Sequence, residues 1–177
     1  RVPGAIAAPT AGLHLSQGLL ERFAERGIER AAVTLHVGLG TFQPVTVPDL
    51  DVHPMHAEQF VVSTETREAI ARARERGAPV VAVGTTVVRT LESAADPERL
   101  GHVRELQGET RLMIQPGYAF RVVDRLLTNF HLPRSTLLAL VYAFGGTERV
   151  RRAYEVAVTE GYRFFSYGDA MLLQRNL

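Results

Sequence analysis

The stretch Val80-Val-Ala-Val83-Gly84-Thr-Thr86 carries the clearest fold signal of the sequence. Its continuous apolar run is typical of a buried strand. The glycine and two threonines that follow predict a turn into a helix ending at about Ala94. The free amides of such a helix start, together with the hydroxyls of Thr85 and Thr86, suit an anion. A plain helix cap with a surface arginine at Arg89 is the alternative.

Strands and helices alternate on both sides of this unit. Helices are predicted at 16–26, at 63–76, from Pro133 to Phe144, and from a Thr147 cap to about Thr159. Strands are predicted at 31–37, 125–128 and in a hairpin of Thr110–Gln115 with Tyr118–Val123. We therefore expect one α/β domain over residues 1–177, with a mixed sheet flanked by helices. The chain starts at Arg1 and is patterned at once, which we interpret as a piece of a longer protein.

The composition is that of an ordinary globular domain, with 46% hydrophobic and 22% charged residues among 177. It has no apolar run of about 18 residues, so no membrane span is predicted. There is no cysteine, which excludes disulfides and thiolate metal sites and favours a cytoplasmic protein. All 20 basic residues are arginine, yet the net charge is only +1. Contact with a polyanion would therefore need a local basic patch.

A second informative run extends from Thr34 to Val45. Its first residues alternate like a strand, with Thr34 and His36 on one face. Gly38 and Gly40 then open a loop. Such a strand resembles the wall of a binding site, and a tight turn with two satisfied polar residues is the alternative.

The segment His53-Pro-Met-His56-Ala-Glu58 has two imidazoles and a carboxylate in zinc-like spacing. Pro54 argues against a helix that would present both imidazoles on one face. A polar loop with hydrogen-bonded histidines is the alternative to a metal site.

Two later segments combine polar and aromatic groups. In residues 129–136, Arg134, Ser135 and Thr136 could hold a carboxylate or phosphate at a helix start. Ordinary capping with His131 packed under the turn is the alternative. Residues 162–169 form either an aromatic wall for a cation or a flat base, or a core strand with Asp169 in a turn.

Seven stretches in one order resemble the tRNA ribosyltransferase-isomerase family of queuosine biosynthesis. They are AAPTAGLH (7–14), TLHVGLGTFQPV (34–45), HPMHAE (53–58), AVGTTVVRTLES (82–93), PGYAFRVVD (116–124), TNFHLPRSTLL (128–138) and YRFFSYGDAML (162–172). The chain departs from the family pattern at Leu39, Val52 and Val87. The family's N-terminal strands and separate β-barrel domain have no counterpart in this sequence.

The resemblance implies an enzyme that uses S-adenosylmethionine as a ribosyl donor. The ribosyl group would move to the 7-aminomethyl-7-deazaguanine at the wobble position of tRNA and be isomerised, giving epoxyqueuosine, adenine and methionine. No metal is implied, and we expect a monomer without membrane contact. The alternatives are a tRNA-binding module without catalysis and a metal hydrolase built on His53, His56 and Glu58.

The resemblance also implies roles for individual residues. A base of near-neutral pKa would start the rearrangement, and we expect His36 or His131, with His14 and Asp169 as partners. For S-adenosylmethionine we expect contacts from Thr34, Gly38, Gly40, Thr85, Thr86, Arg134, Ser135, Thr136, Phe164, Phe165 and Tyr167. Arg89, Arg121 and Arg163 are the expected phosphate contacts.

Overall fold

The computed structural model describes residues 5, 8–38, 45–47, 49–104 and 106–176. The α helices are α1 (Gln17–Glu25), α2 (Thr64–Glu75), α3 (Thr85–Ser93), α4 (Thr136–Gly145) and α5 (Thr147–Thr159). The strands are β1 (Val33–Leu35), β2 (Glu58–Val62), β3 (Val81–Val83), β4 (Gln107–Thr110), β5 (Arg125–Asn129) and β6 (Ala170–Gln174). Short 3₁₀ helices span Thr10–His14 and Leu50–Val52.

The strands form two three-stranded sheets. The first has the order β1-β2-β4 and is antiparallel throughout. The second has the order β3-β5-β6, with β3 parallel to β5 and β6 antiparallel to β5. The α/β class is thus confirmed. The predicted mixed sheet is the second sheet, and the first is an additional layer.

Side-chain caps account for several helix starts. The Ser63 hydroxyl accepts a hydrogen bond from the Thr66 amide at the start of α2, and Ser16 does the same for α1. The α4 helix begins three residues later than predicted, because Ser135 and not Pro133 marks its start. The predicted Thr147 cap is wrong, since Gly146 (φ 83°) occupies the capping position of α5.

The predicted hairpin between Thr110–Gln115 and Tyr118–Val123 is wrong. The observed strand, β4, ends at Thr110, and its partner is β2. The buried Glu92 carboxylate explains the difference. It accepts hydrogen bonds from the amides of Arg121, Val122 and Val123, at 2.8, 3.0 and 3.0 Å. Those amides are therefore unavailable for a strand ladder.

Helix α3 packs against strands of both sheets and against α4. Its Val88 is fully buried, as are Val62 of the first sheet and Leu126 of the second. One apolar core therefore joins the two sheets through α3. None of the helices in the described part of the chain is long and apolar enough to cross a membrane.

Candidate functional site

A cavity of about 260 Å³ lies where β3 and β5 end. These strands are parallel, so their carboxyl ends share one edge of the sheet, the usual place for a ligand in such folds. Strand β6 starts at the same edge, with Ala170 opposite Asn129. The polar and aromatic lining side chains are Thr10, Thr85, Thr86, Thr128, Asn129, His131, Phe165 and Ser166.

The start of α3 forms one wall of this cavity. Gly84 has φ 97°, a conformation that favours glycine, and its amide donates to the Leu127 carbonyl at 2.8 Å. This bond ties the turn to β5. The first amides of a helix have no partner within it, so the amides of Thr85 and Thr86, two residues that line the cavity, are available to a ligand. The structure thus brings the two threonines predicted from the sequence to one wall of the cavity.

His131 lies in the cavity wall and is 8% exposed. Its Nε2 atom is 2.9 Å from the Thr128 hydroxyl, and its amide donates to the Tyr154 hydroxyl at 2.9 Å. Burial lowers the pKa of His131 to about 4. The base expected from the sequence has a near-neutral pKa, and His131 does not have that property in this structure.

Asn129 connects three segments at the cavity. Its side-chain amide lies 3.2 Å from Nε2 of His14 and donates to the Phe165 carbonyl at 3.1 Å. Phe165 itself has φ 70°. A non-glycine residue in this region stores strain, which is a feature of functional sites. Asn129 thus fixes both the exposed His14 and the strained Phe165 at the rim.

Asp169 closes the loop that carries Phe165. It accepts hydrogen bonds from the amide and the guanidinium of Arg163, at 2.8 and 3.1 Å. The side-chain bond from Arg163 is the main cause that lowers the pKa of Asp169, and the nearby His14 adds to it. The same bond raises the pKa of Arg163. His14 and Asp169 therefore interact electrostatically with each other, whereas the sequence analysis expected each of them as a partner of His36 or His131.

The predicted wall on β1 lies in the other sheet. Thr34 pairs with Val61, and the His36 amide donates to the Gln59 carbonyl at 2.9 Å. The Gly38 amide donates to the Glu58 carboxylate at 3.1 Å. None of these three residues lines the cavity, and Gly40 lies outside the described residues.

The expected phosphate contact at Arg89 needs correction. Its side chain is 5% exposed and forms a 2.6 Å ion pair with Glu58, which is 1% exposed. An arginine enclosed in this way is not placed to meet a tRNA backbone. Arg121 donates to the carbonyls of Asp96 and Pro97, whereas the side chain of Arg163 is 75% exposed.

The second expected anion site, Arg134–Thr136, does not line the cavity. Ser135 is occupied as the cap of α4, since its hydroxyl accepts from the Leu138 amide and donates to the Leu132 carbonyl. Thr136 is buried. Of the two alternatives for a carboxylate, the cavity contains only Gly84–Thr86.

The three aromatic candidates differ in environment. Phe164 packs against Phe130 and Tyr154, with ring centroids 5.2 and 5.8 Å apart. Tyr167 is 88% exposed. Of these three candidates only Phe165 lines the cavity, so one aromatic ring and not three contributes to its wall.

Among the described residues, which include the segment His53–Glu58, no group of three or more histidine, aspartate or glutamate side chains is arranged so that it could hold a metal ion. Glu58 is directed to Arg89 and Gly38. The metal-hydrolase alternative therefore has no available carboxylate in this segment.

Several lining residues were not singled out from the sequence, namely Thr128, Ser166 and the segment 8–11. The position of Thr128 could have been predicted from the sequence. Thr128 lies at the end of a predicted strand, and parallel pairing of that strand with β3 would have placed it beside Thr85 and Thr86.

Comparison with known proteins decides the family. Residues 1–173 match the family described as Queuosine biosynthesis protein. The chain belongs to this family.

Curated members include S-adenosylmethionine:tRNA ribosyltransferase-isomerases from Sorangium cellulosum and Anaeromyxobacter sp. They are 71% and 62% identical over 98% and 99% of this chain. A crystal structure of S-adenosylmethionine tRNA ribosyltransferase from Thermotoga maritima is 47% identical over 92% of the chain, with a TM-score of 0.74. The chain spans about half the length of these relatives, covering 46%, 50% and 51% of them.

Proposed function

We propose that this chain carries the S-adenosylmethionine site of a tRNA ribosyltransferase-isomerase in queuosine biosynthesis. The enzyme would move the ribosyl group of S-adenosylmethionine to 7-aminomethyl-7-deazaguanine at the wobble position of tRNA and isomerise it, releasing adenine and methionine. One observation carries the proposal. In a member of this family, the cavity at the ends of β3 and β5 joins a polar helix start to a buried histidine and an exposed aromatic ring.

The groups of the cavity suit the parts of S-adenosylmethionine. Amides and hydroxyls of Thr85 and Thr86 at the positive end of α3 suit the methionine carboxylate. The ring of Phe165, which is 45% exposed, suits a sulfonium or the adenine base. Asn129 and His131, which line the same cavity, supply further hydrogen-bonding groups. We expect about 3- to 10-fold weaker binding when one such neutral hydrogen bond is removed.

Binding of S-adenosylhomocysteine, measured by titration calorimetry, tests the anion site. Thr85→Val and Thr86→Val should each weaken binding. Thr159→Val is the matched control, because Thr159 is an exposed threonine on α5 whose hydroxyl donates within its own helix. Equal affinity of the parent chain and the three variants would mean that the start of α3 is not part of the binding site.

The starting base is proposed to be His14, with His36 as the second candidate. His14 is exposed at the rim, beside Asn129 and close to Asp169. Such a group can exchange protons with solvent between turnovers. Adenine release by His14→Ala, His36→Ala, His131→Ala and Asp169→Asn variants tests these roles. If all four variants release adenine at nearly the parental rate, the proposed catalytic roles of these residues are rejected.

The proposed activity is tested by mixing the chain with S-adenosylmethionine and tRNA that bears the aminomethyl deazaguanine. Free adenine is the readout, and the Sorangium cellulosum relative is the positive control. A tRNA-binding module without catalysis is the second candidate, and it would retain tRNA without releasing adenine.

A contact of Arg163 with tRNA phosphate is also proposed, because its side chain is exposed at the cavity rim. The affinity for tRNA should fall with added salt, and Arg163→Gln should reduce that salt slope by about one. Arg72→Gln, at another exposed arginine that pairs with a carboxylate, Glu29, should leave the slope unchanged. The opposite ranking of the two variants would argue against this contact.

A further inference from the structure

His131 is held by two contacts from different elements, one to its imidazole and one to its backbone. Its Nε2 atom is 2.9 Å from the hydroxyl of Thr128, at the end of β5. Its backbone amide donates to the hydroxyl of Tyr154, on α5, at 2.9 Å. His131 lines the cavity. The orientation of this ring is therefore determined before any ligand enters.

The Thr128 contact distinguishes between the two neutral forms of the ring. Thr128 is 1% exposed, and its hydroxyl has no other hydrogen-bond partner in the described part of the chain. A buried donor left unpaired is costlier than an unused acceptor lone pair. The hydroxyl is thus expected to donate to Nε2, which leaves the ring proton on Nδ1.

The Nδ1 atom is the free edge of this ring. Among the residues that the structure describes, Nδ1 has no hydrogen-bond partner. It is also not one of the fully buried side-chain atoms that lack a partner, so it is accessible from outside the protein core. Since His131 lines the cavity, an N–H at this position can serve a ligand. Burial also lowers the pKa of His131 to about 4, so the ring is neutral at pH 7.

We propose that His131 binds the cavity ligand as a neutral hydrogen-bond donor through Nδ1, and that Thr128 is the positioning residue that fixes this tautomer. A ring nitrogen of a purine is the acceptor that suits such a donor. This choice of ligand rests on the proposed function, whereas the tautomer does not. His131 then recognises the nucleoside, and proton abstraction belongs to another residue.

The tautomer is measured in the ligand-free chain by ¹⁵N–¹H correlation spectra after histidine labelling. The chain has six histidines, and His131→Gln identifies the signal. We expect an Nδ1–H ring that does not become protonated between pH 8 and pH 5. Thr128→Ala removes the hydroxyl and leaves room for a water that can accept as well as donate, so the ring should shift toward the Nε2–H form. Thr128→Ser keeps the hydroxyl and should keep the parental spectrum.

Two results would overturn the tautomer assignment. One is an Nε2–H ring in the parent chain, which needs no variant and so does not depend on the folding of Thr128→Ala. The other is a parental spectrum in a folded Thr128→Ala protein, because a merely structural threonine would leave the tautomer unchanged.

The ligand is tested with adenosine and its 1-deaza, 3-deaza and 7-deaza analogues, each of which lacks one ring acceptor. One analogue should bind the parent chain about 3- to 10-fold more weakly than adenosine. That difference should vanish in His131→Ala. Equal binding of adenosine and its three analogues would reject the purine contact. If none of the four compounds binds, the proposed function is rejected. In either case the spectra still decide the tautomer.

Discussion

At the residue scale, the role of each polar side chain depends on which partners have already taken its hydrogen bonds. Arg89 and Arg163 were equal candidates in the sequence, because both are arginines near motif positions. The structure encloses the first beside Glu58 and leaves the second exposed. Solvent access is a property of the packed fold, and no local spacing along the chain encodes it.

The Arg89–Glu58 pair gives a stability prediction. Arg89→Met should lower the free energy of unfolding by about 3–5 kcal/mol, because it leaves a buried carboxylate without its ion pair. Arg72→Met removes an exposed pair with Glu29 and should cost at most about 1 kcal/mol. Urea unfolding at pH 7.5 measures both, and equal losses would contradict the buried pair.

His131 gives a pH prediction. The unfolded chain binds a proton at this ring below about pH 6.5, and the folded chain does so only below about pH 4. Stability should therefore fall as the pH falls from 6.5 to 4, by about 3 kcal/mol from this group. His131→Gln should remove that part of the pH dependence, while the exposed His56→Gln keeps it. Urea unfolding at pH 7.5 and pH 5 measures the difference.

At the scale of elements, local signals predicted most helices and failed where a distant side chain supplied the hydrogen bonds. Serine caps at Ser16 and Ser63 are readable because the cap and its partner amide are three residues apart. The hairpin after Thr110 was not readable in this way. Its amides bond to Glu92, about 30 positions earlier in the chain.

Gly168 gives a prediction for the loop that carries Phe165. A side chain here would overlap the backbone of Arg163 and Phe164, which cannot move aside as a flexible side chain can. Gly168→Ala should open the loop, weaken S-adenosylhomocysteine binding and lower the melting temperature. Gly18→Ala is the matched control, since it lies in α1 with open space around it. It should stabilise the chain by about 0.5–1 kcal/mol.

Calorimetric titration and thermal unfolding separate these two glycine variants. Unchanged binding by Gly168→Ala would mean that the loop does not shape the cavity.

At the scale of the whole molecule, α3 joins two sheets and presents its first turn to the cavity. Leu91, 4% exposed on this helix, belongs to the shared core. Leu91→Ala should cost about 2–5 kcal/mol. Native-state hydrogen exchange should show the same loss of protection in β2 and β5. A loss confined to one sheet would indicate that the sheets unfold separately.

The sequence by itself determined the family, the α/β class, most helix bounds and the two threonines at the start of α3. These follow from local periodicity, caps and motif order, which need only neighbouring residues. Only the tertiary structure decided that His131, Asn129 and Phe165 share a cavity with those threonines, while Thr34, His36 and Arg89 do not line it. Parallel pairing of β3 with β5 brings together residues more than 40 positions apart. Burial in the folded chain then decides which side chains are neutral, which form ion pairs and which remain accessible to a ligand.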